Sequence, residues 1–416
     1  MDAETKQEWR VGWPLIFSST FGISVSSIVV YSMGVFMLPL QREFDWSRAQ
    51  ISSGLLILSG FSITCAPFVG RLIDRVGPRR ICLPGLVIFC SAFASLSASN
   101  GSIWQWYILW CMIAIGALML KPTVFTTAVA SRFDRARGTA LALALSGTGL
   151  AGIAAPALSA LILNQLGWRL TYISVAAIWF LVVFPICFTF FYGASDLRRK
   201  STLRSDKVDH IAVDGMGARE GLLSLTYIKL ALAAFLAMLV IGSMVVHLVP
   251  FVTDSGLDPL VASSMASITG AAILVGRLGT GVLLDKFNGA IVGGVAFALP
   301  AVLMVGLLNY DGSVGMAIAL AILLGFSSGA ELDIAAYMTS RHFGMKNYGF
   351  FFGIIVGLLA LALGIGPTLM SAIFDHYGSY RIAFIGAIPA SIAASLFIAS
   401  IGKYDPRFSP KASTQN

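Results

Sequence analysis

Charge is what this chain lacks most. Only 12% of its 416 residues are Asp, Glu, Lys or Arg, roughly half the share of an ordinary soluble domain, and that excludes a water-soluble globular class. Cysteine is equally sparse. The five (Cys65, Cys82, Cys90, Cys111 and Cys187) fall inside or at the edge of apolar stretches with no C-x-x-C pair, so a disulfide framework and a thiolate metal site are excluded and packing is their reading. The four histidines (His210, His247, His342 and His376) are scattered over loops and one span end. H-E-x-x-H and P-loop signatures are missing, which removes zinc hydrolases and self-contained ATP-driven pumps. The expectation is therefore a non-enzyme with no cofactor and no metal. The short polar start, Met1 to Trp9, carries no cleavable signal, so the first apolar span is expected to direct insertion.

Apolar length is what the chain has. Hydrophobic residues make up 57% and the mean hydropathy is +0.84. Stretches long enough to cross a hydrocarbon core of roughly 30 Å recur at about 12–38, 50–70, 81–99, 104–130, 138–163, 171–192, 227–252, 261–283, 290–308, 314–338, 349–373 and 382–401. Backbone groups in lipid must be satisfied within their own segment, so these spans are helices. The short alternating segments of an outer-membrane barrel are absent.

The formal charge of +8 is explained by topology. With loops assigned alternately to two sides, the side holding both termini carries 21 of the 28 Lys and Arg residues and the other side carries 4. Basic loops stay in the cytoplasm, so both termini are expected there, in a cell inner membrane. The basic balance faces anionic lipid and implies no nucleic acid partner.

A basic turn occurs twice between apolar spans: Gly70-Arg71-Leu72-Ile73-Asp74-Arg75-Val76-Gly77-Pro78-Arg79-Arg80, and more weakly Gly281-Val282-Leu283-Leu284-Asp285-Lys286-Phe287-Asn288. Ser131-Arg132-Phe133 after the fourth span matches Ser340-Arg341-His342-Phe343 after the tenth. Gly167-Trp168-Arg169 after the fifth matches Gly378-Ser379-Tyr380-Arg381 after the eleventh. Three landmarks at matching places make an internal repeat. The fold class is an all-α membrane protein with twelve transmembrane helices in two pseudo-symmetric six-helix bundles: residues 1–192 and 226–402, joined by a polar linker, 193–225, and followed by a tail, 403–416. Twin bundles of this kind point to a transporter. Spans 5 and 11 are rich in small residues (Gly147, Gly149, Gly152 and Pro156; Gly353, Gly357, Gly364, Gly366 and Pro367), which suit close helix packing and bending.

The twelve spans, the central linker and Gly70-x3-Asp74-Arg75-x-Gly77-x-Arg79-Arg80 resemble the major facilitator superfamily over nearly the whole chain. Glu43-Phe44-Asp45-Trp46-Ser47-Arg48, Gly276-Arg277-x7-Asp285-Lys286 and Asn347-Tyr348-Gly349-Phe350-Phe351 are similar to the monocarboxylate porters and oxalate/formate exchangers. The resemblance implies alternating access by rocking halves, with spans 1, 4, 7 and 10 lining a central cavity. It also implies a latch of Asp74, Arg75, Arg79 and Asp285 at the inner face, and Arg277 as the residue that binds a substrate carboxylate. Two positions depart from it: Ile355 stands where the oxalate exchanger has an intramembrane lysine, and Ile273 where mammalian monocarboxylate carriers have an acid.

An ionised side chain at bilayer depth costs roughly 2.5–3.5 kcal/mol on insertion scales, so each needs a reason to be there. Arg277 offers a planar fork for two carboxylate oxygens; its alternative is a structural pair with Asp285. Lys121, just before Pro122 in span 4, reads as an anion holder aimed by the helix break that the proline introduces. Glu331 and Asp333 in span 10 lie about 200° apart around the helix, so one is expected to face the cavity and the other the bundle interior. They are the proton-coupling candidates, Glu331 preferred, and their alternative is a fixed ion pair with Lys121 or Arg277. His247, Tyr31 and Tyr337 are weaker substrate contacts. The expected function is secondary transport of a small organic anion, a carboxylate, by proton symport or anion exchange; its partners are that anion, a proton or counter-anion, and the bilayer. Proton-antiport efflux of an amphipathic or cationic compound, and a non-transporting membrane sensor, are the alternatives.

Overall fold

The computed structural model describes residues 3–133, 137–193, 216–344 and 347–402, without the side chains of 3–5, 66–71, 74, 137–138 and 285. The tail 403–416 and most of the expected linker lie outside the described residues. Fourteen α-helices are present among them. In the first half these are α1 (Ala3–Phe44), α2 (Arg48–Val76), α3 (Pro78–Ser95), α4 (Ile103–Met119), α5 (Pro122–Ala130), α6 (Arg137–Leu145) and α7 (Gly147–Phe190). In the second they are α8 (Ala218–Leu222), α9 (Leu225–Asp254), α10 (Pro259–Lys286), α11 (Gly289–Leu308), α12 (Val314–Phe343), α13 (Tyr348–Tyr377) and α14 (Arg381–Ala399).

Ten of the described helical stretches are long and apolar enough to cross a bilayer. One of them, Thr139–Phe190, is two spans in line: Gly167 turns the chain at φ 74° and ψ 168°, a region open to glycine. Its repeat counterpart Gly378 ends α13 at φ 65°. With α2 the count reaches the expected twelve.

Boundaries follow local chemistry. Ser47 and Gln50 form a capping box at the start of α2, while Asn288 and Ser313 cap α11 and α12. The outward surface stays apolar (Trp104 is 74% exposed and Leu181 69%), as expected where lipid is the solvent.

The chain divides into two compact units, Met1–Ser205 with Val245–Ala271, and Asp206–Met244 with Ala272–Asn416. This differs from a plain division at the linker, because the tip of the α9–α10 hairpin belongs to the first unit. Three contacts inside that unit explain it. A Cβ on Gly34 would lie 2.5 Å from the Val246 carbonyl, and one on Gly270 only 2.2 Å from the Gly152 backbone. Arg48 and Asp254 form an ion pair at 2.7 Å. The first unit's core is aromatic: Phe36 stacks on Tyr172 at 3.8 Å, and Trp46, Trp106 and Trp110 follow one another at 5.3 and 5.9 Å.

In the second unit, the end of the expected linker is folded. Met216 donates to the Phe343 carbonyl, Asn347 donates to the Met216 carbonyl, and Gly221 of α8 admits the Phe351 ring. Glycine at 221 makes room for that ring, which a side chain would block.

Candidate functional site

Lys121 sits in a break in span 4. A residue before proline is pushed out of the helical region, and Lys121 accordingly has φ −59° and ψ 148°. Pro122 then opens α5, where its missing N–H costs nothing. The ammonium of Lys121 donates to the Ser62 carbonyl of α2 at 3.1 Å and is partly buried. Among the described residues no carboxylate pairs with it. Its position is electrostatically unusual. The N-terminal end of a helix already carries partial positive charge and favours acidic or hydroxyl caps, yet here a lysine occupies the cap position. Tyr31 and His247 lie in the same unit. Tyr31 borders the Gly152–Gly270 crossing, and His247 is fully buried on α9 beside the Gly34–Val246 contact.

Arg277, Glu331, Asp333 and Tyr337 belong to the other unit. Helices α10 and α12 meet there backbone to backbone: a Cβ on Gly329 would lie 2.4 Å from the Ile273 carbonyl, and one on Gly276 2.8 Å from Phe326 Cα. This proximity brings Arg277 Nε within 3.3 Å of an Asp333 carboxylate oxygen. Arg277 is therefore charge-balanced by Asp333, which corrects the expectation of an arginine left open for substrate. The side chain of Asp285, the alternative partner, lies outside the described residues. Glu331 points elsewhere, as the 200° separation requires. It is 2% exposed, and among the described residues its Oε1 accepts no hydrogen bond. Tyr337 lies under the Arg341 guanidinium at 5.1 Å.

Lys121 and Glu331 share one more property. Each stands twelve residues before the phenylalanine that closes its repeat landmark, Phe133 or Phe343. Counted back from these phenylalanines, the two repeats carry opposite charges at the same distance.

The expected inner latch needs one correction. Arg79 does not reach out of its unit: it donates to the carbonyls of Cys187, Phe188 and Phe191, and its guanidinium lies 3.8 Å from the Tyr192 ring centroid. It caps the C-terminal end of α7, where exposed carbonyls and the helix dipole favour a cation. Arg75 is exposed, and the Asp74 and Asp285 side chains lie outside the described residues. In the second unit the weaker motif has no arginine at the place of Arg79, and the last helix recruits a different cation, Lys229, which donates to the Ser400 carbonyl at 3.3 Å.

Three contacts escaped the sequence reading. Arg48, 3% exposed, heads α2 at its dipole-unfavourable end and is balanced by Asp254, while Gln41 accepts from its Nε at 3.0 Å. Glu43 accepts from both Trp168 and Arg169, tying the end of α1 to the Gly167 turn. Trp46 donates to the Gly101 carbonyl at 3.2 Å. Glu43, Trp46 and Arg48 all fall within the stretch noticed for its likeness to monocarboxylate porters, but their partners are remote in sequence.

The Major Facilitator Superfamily pattern matches residues 19–332. The chain belongs to this superfamily. Its curated relatives include monocarboxylate transporter 13 of Bos taurus, 26% identical over 396 residues, covering 92% of this chain and 88% of the relative. An MFS-type transporter of Gibberella moniliformis is 27% identical, covering 88% and 84%. Among solved structures, a D-xylose-proton symporter superposes with a TM-score of 0.73 at 14% identity, covering 95% and 98%. A bacterial homolog of the human lysosomal transporter Spinster, inward-facing, gives 0.66 at 16%, covering 94% of each chain. The fold is that of the superfamily, and the protein is a multi-pass membrane transporter.

Proposed function

We propose that this superfamily member carries a small organic anion, a carboxylate, by alternating access, and that Lys121 is its anchor. The supporting observation is a cation at the positive end of a broken transmembrane helix with a backbone carbonyl as its partner and, among the described residues, no carboxylate paired to it. Such a site has a standing deficit of negative charge in a medium where charge is costly, and an incoming carboxylate makes it good. Tyr31 and His247 supply hydrogen bonds on the same unit. Arg277 and Asp333 act as an ion pair that opens during the cycle, the freed guanidinium then serving the carboxylate; Tyr337 orients this part of α12. Glu331 carries the proton in symport, and Asp74, Arg75 and Asp285 form the inner latch. The protein sits in a cell inner membrane with both termini in the cytoplasm, in two halves of six spans.

The test is thermal stabilisation of the purified protein by a panel of mono-, di- and aromatic carboxylates. A binding ligand at 100 times its Kd stabilises by about 2.7 kcal/mol, and Lys121→Met should weaken that ligand at least tenfold. Stabilisation that survives Lys121→Met unchanged rejects the anchor. A second reading, proton-antiport efflux of a cationic compound, draws on the buried Glu331 carboxylate. In that case Glu331→Gln abolishes ligand stabilisation and Lys121→Met spares it. In the carboxylate reading Glu331→Gln keeps anion binding and removes only the dependence of uptake on a pH gradient.

A further inference from the structure

One face of the first turns of α1 is used by nothing described so far. Lys6, Arg10, Trp13, Phe17 and Phe21 follow at intervals of four, three, four and four residues, which aligns them along a single helical stripe. The order along the axis is two cations, an indole, then two phenyl rings. Lys6 and Arg10 are exposed, and Trp13 is 52% exposed. The Trp13 ring lies 6.3 Å from Phe17 and 6.3 Å from Phe190 of α7, and Phe17 lies 4.8 Å from Phe21. At the cationic end Lys6, Gln7, Arg10 and Val11 line a shallow, open depression on the helix surface. Arg132 reaches the same end, donating to the Val11 carbonyl at 3.4 Å. The acid Glu8 stands about 200° around the helix from Lys6.

We propose that this stripe binds an acidic phospholipid. The phosphodiester rests on Lys6 and Arg10, the glycerol region meets the Trp13 indole, and one acyl chain lies along Phe17 and Phe190. Cations above an interfacial indole above apolar rings match the layering of a charged lipid from headgroup to tail. The fold does not demand the arrangement. In the second repeat the corresponding opening turns of α9 carry Tyr227 buried against Phe351 and Lys229 turned to the Ser400 carbonyl, with no exposed aromatic stripe. A basic end required only for topology would need the cations and not the indole and phenyl rings beneath them. The proposal is independent of which solute is carried.

The experiment uses the full chain in phosphatidylcholine vesicles doped with brominated phosphatidylglycerol or brominated phosphatidylcholine. Bromine quenches nearby tryptophan, and the difference between wild type and Trp13→Phe isolates the Trp13 signal. The expected result is a preference for the acidic lipid on the order of tenfold, consistent with two surface cations. That preference should disappear in Lys6→Gln/Arg10→Gln with an unchanged melting temperature. Equal quenching by both lipids reduces the stripe to an ordinary aromatic belt and overturns the proposal, as does a preference that persists in the double variant. Loss of the preference on adding millimolar inorganic phosphate identifies a free-phosphate site and also overturns it. Should the double variant fail to fold, the single variants Lys6→Gln and Arg10→Gln, read by lipids retained in native mass spectrometry, give the same decision.

Discussion

At the scale of single residues, the Arg277–Asp333 pair is the sharpest liability in the second unit. The two side chains are held where α10 and α12 touch, with Arg277 nearly out of contact with solvent. Removing one partner leaves the other charge less compensated than before, whereas removing both by apolar groups is far better tolerated. Asp333→Asn is expected to destabilise the protein by about 3 kcal/mol, and Arg277→Met/Asp333→Leu to recover most of that loss, both measured by thermal unfolding in detergent. A double variant no more stable than Asp333→Asn would show that the pair is not what holds this contact. The sequence made Arg277, Lys121, Glu331 and Asp333 legible because a charge inside an apolar run is visible without any structure. It did not reveal which acid would pair with Arg277. That choice depends on Gly276 and Gly329 letting two backbones approach, and small residues say only that an approach is available. Arg79 was misread for a related reason: its acceptors are main-chain carbonyls of α7, which leave no mark in the identity of the residues that bear them.

At the scale of elements, span 4 is an irregular helix and Pro122 is the cause. A proline at the first position of a helix is well tolerated, so its removal does not relieve strain; it joins α4 to α5. Pro122→Ala should leave the melting temperature equal or slightly higher, because alanine favours helix, while ligand stabilisation through Lys121 falls at least tenfold as the ammonium turns with the repaired helix. A variant that binds carboxylates as well as wild type would detach the break from recognition. Helix existence, order and the repeat landmarks were readable from apolar length and turn chemistry. The boundary at Gly167 was readable too, since Gly-Trp-Arg recurs as Gly-Ser-Tyr-Arg at Gly378. The folding of α8 was not, because its polar sequence resembles the linker before it. Its order comes from contacts with Phe343, Asn347 and Phe351.

At the scale of the whole molecule, the division in space and the division in sequence do not coincide. The tip of the α9–α10 hairpin is encoded after the linker yet packs with what is encoded before it, through Gly34, Gly152 and the Arg48–Asp254 pair. A gene cut within the joint between residues 193 and 216 therefore does not yield two self-sufficient pieces. The upstream fragment, produced alone, bares two glycine grooves and takes the Asp254 carboxylate from the Arg48 guanidinium, and should be rapidly degraded in cells. Supplying the downstream fragment from a second gene should rescue its abundance, with Asp254→Ala weakening the rescue. The sequence repeat marks two copies of one motif, while the packing makes the first compact unit rely on a stretch encoded with the second.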